Sequence, residues 1–160
     1  MEQQLATLYN KLADKIISMI PVKWNKIYYL GEVEKGKLSW SSVFYFEEIN
    51  SKEIVKSHGI PEKYNVSEKI YDELLDELDV ILIEIYDCFI KNNQEPWEQL
   101  SFELDMAGKF KIDYLYNKIS NTEDDQLQRE IIWAYETFDF KPKEGSYTRK
   151  ILEKYIANKK

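Results

Sequence analysis

Residues 68–87, EKIYDELLDELDVILIEIYD, hold eight acids and one lysine. Their net charge of −7 equals that of the whole 160-residue chain. Carboxylates at this density have three uses. They can steer a basic partner by their summed field. They can work as an acid–base pair, which needs two groups facing each other across a cleft and not one run on a single element. They can ligate a metal. Asp72 with Asp76, or Asp76 with Asp79, has helical spacing that converges. However, the run has no EF-hand loop and no histidine near it, so neither a calcium loop nor a zinc or di-iron site is expected. The plainest alternative is a solvated helix face.

The other residue types that carry chemistry are sparse. His58 is the only histidine and sits in Lys56-Ser57-His58-Gly59, which reads as an exposed loop without a catalytic role. Nothing near it resembles a nucleophile elbow. Cys88 is the only cysteine, so no intramolecular disulfide forms. Its neighbour is Asp87, with no nearby cation to favour a thiolate, so it is expected as a small buried residue. The glycines at 31, 36, 59, 108 and 145 are isolated, and none builds a phosphate-cradling loop. These absences argue against an enzyme and against any cofactor or metal.

At 100° per residue, Ile70, Leu74, Leu78, Ile81, Leu82, Ile85 and Phe89 form one apolar stripe, with the acids centred opposite. Val80 and Ile83 break that order. They stand three apart, so they neighbour each other within the acidic face. An apolar pair ringed by carboxylates has the composition of a small interface, with a dry centre and a charged rim. The candidate partner-binding residues are therefore Asp72, Asp76, Asp79, Val80, Ile83 and Asp87. Three occupants of this face stay open: a basic partner, a second copy of the chain, and another element of the same chain.

The elements that position this helix can be read from periodicity. Leu5, Leu8, Tyr9, Leu12, Ile16, Met19 and Ile20 recur at helical spacing until Pro21. Residues 26–34 and 38–47, joined by Glu34-Lys35-Gly36-Lys37, read as a hairpin, and Ile54-Val55 as a short further strand. Val43 and Tyr45 face opposite to Phe44 and Phe46, so the second strand should be covered on both sides. Gly59-Ile60-Pro61 reads as a loop. Ser67 is a good N-cap, with Val66 and Tyr71 placed as a hydrophobic staple, for a helix over 67–92 whose Leu74, Leu78, Ile81 and Ile85 side packs on the sheet. A second hairpin covers 97–105 and 109–116 around Met106-Ala107-Gly108. Asn121 or Thr122 can cap a helix over 123–137, and Ser146 opens a last one. The expected fold is a single α+β domain over 1–160. Its antiparallel sheet is built from two hairpins and flanked by about four helices.

Hydrophobic content of 44% and aromatic content of 14% suffice for a core at this length. A pI near 4.9 argues against direct nucleic-acid binding. Charge is uneven: residues 141–160 are +5, so 1–140 are −12. The N-terminal apolar residues are interrupted by polar ones, as no signal peptide would be, and no window is apolar enough to span a membrane. A cytoplasmic protein without membrane contact is the expectation.

The stretch 94–116, QEPWEQLSFELDMAGKFKIDYLY, carries Glu95-Pro96-Trp97, Gly108-Lys109-Phe110 and Tyr114. Together with Leu5-Ala6-Thr7-Leu8-Tyr9, Met19-Ile20-Pro21, Trp24, Val43-Phe44-Tyr45-Phe46, Ile60-Pro61 and the run Arg129 to Tyr135, it resembles the YezG family of immunity proteins. That family includes the EsaG-type antitoxins of type VII-secreted nucleases. The quoted motifs span about residues 1–140, and nothing is carried over for the basic segment 141–160. The resemblance implies a non-catalytic protein that binds and neutralises a cognate nuclease toxin, with Trp97, Phe110 and Trp133 as core residues. The alternative function is a non-inhibitory chaperone or scaffold for a toxin or other basic partner, and a homodimer of the free protein is a further partner expectation.

Overall fold

Pro21 closes the first helical run, and the pattern changes from helical to extended at Trp24. In the computed structural model, which describes residues 1–159, helix α1 (Glu2–Met19) leads into strands β1 (Trp24–Val33), β2 (Trp40–Glu48) and β3 (Ile54–Lys56). Helices α2 (Ile60–Tyr64) and α3 (Glu68–Lys91) follow, then the hairpin β4 (Gln99–Asp105) and β5 (Phe110–Leu115), then α4 (Gln126–Phe138) and α5 (Tyr147–Lys159). The five strands form one open antiparallel sheet in the order β3-β2-β1-β4-β5, so both hairpins share it and the fold is α+β. The chain falls into two compact units, Met1–Ser120 and a second that begins at Asn121.

In the first unit the strand alternation sends Ile27, Tyr29, Val33, Phe44, Phe46, Leu100 and Phe102 to one face. There they share a core with Leu12 and Ile16 of α1 and with Leu78, Leu82 and Ile85 of α3. Leu78 is fully buried and Ile81 nearly so, which bears out the expected packing side of α3. Ile70, at the start of the same apolar stripe, is 54% exposed, because it lies in the first turn and on the flank of the stripe. Val43, Phe44, Tyr45 and Phe46 are all buried, so both faces of β2 are covered as expected.

Gly31 sets how closely α3 approaches. A Cβ there would lie 2.5 Å from Leu82 Cδ1 and 2.8 Å from Tyr29 Oη, so glycine lets this helix settle on β1 without displacing either side chain. Ser67 caps α3 as expected, its Oγ accepting the Ile70 N–H at 3.3 Å. Trp97 and Cys88 are buried. Phe110 is not the core residue it was expected to be. It is 54% exposed, because it starts the edge strand beside the Met106–Gly108 turn. The Gly59-Ile60-Pro61 segment read as a loop opens α2, where Pro61 supplies a preset φ and lacks only an N–H the first turn would leave unpaired. Asn65 closes that helix in the left-handed region, φ 54°. The helices are thus five among the described residues. Past β5, buried Glu98 holds the chain: its Oε1 accepts from Ile119 N at 3.1 Å, Ser120 N at 3.0 Å and Ser120 Oγ at 2.9 Å.

The second unit pairs α4 with α5. The cap of α4 is Asp125, not Asn121 or Thr122. Asp125 and Gln128 form a reciprocal capping box, while Thr122 Oγ1 accepts the Asp124 N–H. Trp133, Ile131, Ala134 and Leu152 are buried, and the Tyr155 hydroxyl donates to Glu136 Oε2 at 2.9 Å. Ser146 opens α5 as expected, accepting the Arg149 N–H at 3.1 Å.

Candidate interaction surface on the central helix

With its core side fixed by Leu78, Leu82 and Ile85, α3 turns Asp72, Asp76, Asp79, Val80, Ile83 and Asp87 into one outward arc about 100° wide. Within it Asp72, Asp76 and Val80 are exposed, Val80 to 59%. Asp79, Ile83 and Asp87 are half-buried, and Ile83 also packs against the margin of the core.

The acids of α3 divide by their surroundings. On the α1 side, Lys15 pairs with Glu77, and Lys11 reaches Glu84 at 3.3 Å, so α1 neutralises that flank. Asp87 meets Lys37 Nζ at 3.0 Å, which ties the β1–β2 turn to the helix. Asp72, Glu73 and Asp76 stand on the exposed arc.

Asp79 is a different case. Burial pushes its pKa up, a hydrogen bond from Ser42 offsets part of this, and the charge of Asp76 adds to it. Its Oδ1 is buried without a hydrogen-bond partner among the described residues. Ser42 Oγ lies 2.7 Å from the Tyr29 hydroxyl, so a small polar cluster links α3 to the first hairpin. Nearby, the Tyr71 hydroxyl lies 3.1 Å from His58 Nδ1, and burial raises the Tyr71 pKa. His58 is exposed, as expected, but it has this partner.

The structure adds residues that the pattern of α3 alone did not supply. Lys37 ties the turn to Asp87, and Ser42 reaches Asp79. Trp40 lies between those two tie points along the chain. It shares the helix-facing side of the sheet with Val33 and is 50% exposed. Leu38, in the same turn, is 78% exposed, and Ile90 is 47% exposed. Ile90 was recognisable, since it follows Ile83 by seven residues and returns to the same arc. Leu38 reads in the sequence as the first residue of the second strand, but β2 begins at Trp40 and leaves it in the turn, so its exposure carried no such signal. Together, Trp40, Leu38, Val80 and Ile90 give apolar surface beside the acids, the make-up of an interface with an aromatic anchor.

A second apolar surface lies in the same unit. It is an open groove of about 770 Å³, lined in part by Ile17, Ile20, Val22, Trp24, Ile49 and Met106. Among the described residues no group of three His, Cys, Asp or Glu is placed to hold a metal ion, and no helix is long and apolar enough to cross a membrane.

Residues 5–152 match the family described as immunity protein YezG-like, which extends the likeness beyond the 1–140 span of the sequence motifs. The chain is similar to immunity protein YezG of Bacillus spizizenii, 38% identical over 153 residues, covering 96% of this chain and 93% of that protein. It is 34% identical over 137 residues to immunity protein YezG of Bacillus subtilis, covering 86% of this chain and 89% of that protein. To the type VII secretion system protein EsaG of Staphylococcus aureus it is 29% identical over 157 residues, covering 97% and 95%. An acid-rich helix seated on an antiparallel sheet, and a match running almost end to end, lead to one conclusion: the chain belongs to the YezG-like immunity protein family.

Proposed function

We propose that this protein binds a cognate secreted nuclease toxin in the cytoplasm and neutralises it by covering the toxin's basic substrate cleft with the outward arc of α3. The observation that carries the reading is the arrangement of that arc: exposed Asp72 and Asp76 beside exposed Val80 on a helix whose core side is locked. Membership of an immunity family supports a non-catalytic, partner-binding role, and one relative is named as a type VII secretion system protein. A nuclease cleft must hold phosphates and is therefore basic. Acids on a rigid helix match that charge and speed encounter. Val80, Ile83 and Trp40 supply the desolvated contacts that hold the complex once formed.

Charge and apolar contact then separate kinetically. Asp72→Lys with Asp76→Lys slows association with the toxin and flattens its salt dependence. Val80→Asp mainly speeds dissociation, because it puts a charge in the dry centre. The assay is surface-based kinetics against the cognate toxin at two salt concentrations, run beside a nuclease inhibition assay. Wild-type rates in both variants move the interface elsewhere, with the Ile17–Trp24–Met106 groove next in line. Tight binding without loss of nuclease activity identifies a chaperone in place of an inhibitor.

A further inference from the structure

The edge strand β5 has no strand beyond it among the described residues, and its sequence is complementary to itself read backwards. We propose that β5 pairs with β5 of a second copy of this chain, antiparallel about a two-fold axis at Ile112, to make one sheet continuous across two protomers.

The phase of the existing ladder allows this pairing. Asp105 N–H donates to the Lys109 carbonyl at 3.0 Å, and the register runs Glu103 with Lys111 and Ser101 with Asp113. Residues 109, 111 and 113 therefore turn their backbone groups toward β4, and 110, 112 and 114 turn theirs outward. A two-fold axis at Ile112 places Ile112 opposite itself and Phe110 opposite Tyr114. Those are the pairs whose outward N–H and C=O groups exchange hydrogen bonds.

The side chains agree with the backbone. On one face, half-exposed Phe110 meets Tyr114, and Ile112 meets Ile112, which are favourable cross-strand pairs. On the other face, Lys111 falls opposite Asp113 of the second copy, and Asp113 opposite its Lys111. These two residues already lie 3.5 Å apart within one strand, with side chains 69% and 56% exposed. The contact would gather two such pairs into a four-charge cluster of alternating sign. A lysine alone on an edge opposes pairing. Here the acid two residues on reverses that effect, and a two-fold contact requires such self-complementarity. The outward edge of β5 includes none of the α3 arc residues, so the two surfaces are built from different side chains.

The test is sedimentation equilibrium of the full-length protein from micromolar to millimolar concentration, with thermal melts as a check on folding. Wild type is expected to dimerise reversibly. Lys111→Asp and Asp113→Lys each oppose like charges at two symmetric positions and are expected to weaken the dimer by about tenfold. The double variant Lys111→Asp/Asp113→Lys restores complementarity and the dimer. Ile112→Pro removes an outward N–H while sparing the ladder to β4, and it is expected to leave a folded monomer. A wild type that stays monomeric throughout overturns the proposal. So do single charge variants that dimerise like wild type, or a double variant no better than the singles. None of these variants is expected to change toxin inhibition, so this contact and the α3 surface can fail independently.

Discussion

Gly31→Ala tests how α3 is seated. The added Cβ falls 2.5 Å from Leu82 Cδ1. Carbon atoms in contact rest at about 3.5–4.0 Å, so the two groups must separate by roughly 1 Å or more. Neither neighbour gives way cheaply. Leu82 is fully buried, and Tyr29, whose Oη lies 2.8 Å from the same point, is held by its hydrogen bond to Ser42. Overpacking of this kind costs about 1–3 kcal/mol, a fall of roughly 2–12 °C in melting temperature for a chain of this size. Leu82→Ala alone costs about 2–5 kcal/mol through the cavity it leaves. In combination the two changes compensate, because the new methyl occupies part of the vacated space. Urea denaturation of the two single variants and the double gives the interaction energy directly. A Gly31→Ala protein within about 0.5 kcal/mol of wild type, or a double variant whose loss equals the sum of the singles, would falsify the close seating.

Three further outcomes follow from particular residues. Asp79→Asn should raise stability at neutral pH. The folded pKa of Asp79 lies above its unfolded value, so ionisation disfavours the fold, and the advantage of Asn should shrink as pH falls through that folded pKa; melts across acid pH check it. Glu98 is pushed up by burial, but the hydrogen bonds from Ser120, Ile119 and Lys35 outweigh this and hold its pKa below that of an ordinary glutamate. Its contribution is therefore present above the unfolded pKa and lost as pH falls through the folded one. Glu98→Gln should cost about 1.5–3 kcal/mol at neutral pH and progressively less in acid. Asp125→Ala should cost about 1 kcal/mol by removing the capping box of α4, seen as earlier loss of helical circular dichroism on heating.

Local chemistry made much of the fold legible. Ser67 and Ser146 mark helix starts through hydrogen bonds made within a turn of themselves, and Pro21 ends α1 because it has no N–H to continue the ladder. The two hairpins announce themselves by Gly36 and Gly108, both at positive φ. Periodicity also placed Leu78 and Ile85 in the core. Elsewhere the deciding partners were distant in sequence. Phe110 reads as core until its place at the start of an edge strand is known. Asp79 looks like its neighbours Asp76 and Asp72 until Ser42 and Tyr29 are brought beneath it. The pairing of Glu77 and Glu84 with lysines of α1 depends on how two helices pack, which neither helix encodes alone. Asp125 does not stand out as a cap in the sequence, because several capping residues crowd 121–125 and the first turn could begin after any of them.

The division of α3 into a seated side and an outward arc bears on how such a protein changes allegiance. Gly31, Leu78 and Leu82 fix the helix in place, while Asp72, Asp76 and Val80 take no part in that seat. Substitutions along the arc can therefore accumulate with little penalty in folding, and under the proposed binding mode each alters which toxin variant is held. New specificity can arise by drift through proteins that all remain folded, and cross-protection between related toxins should grade smoothly with the composition of a few arc positions.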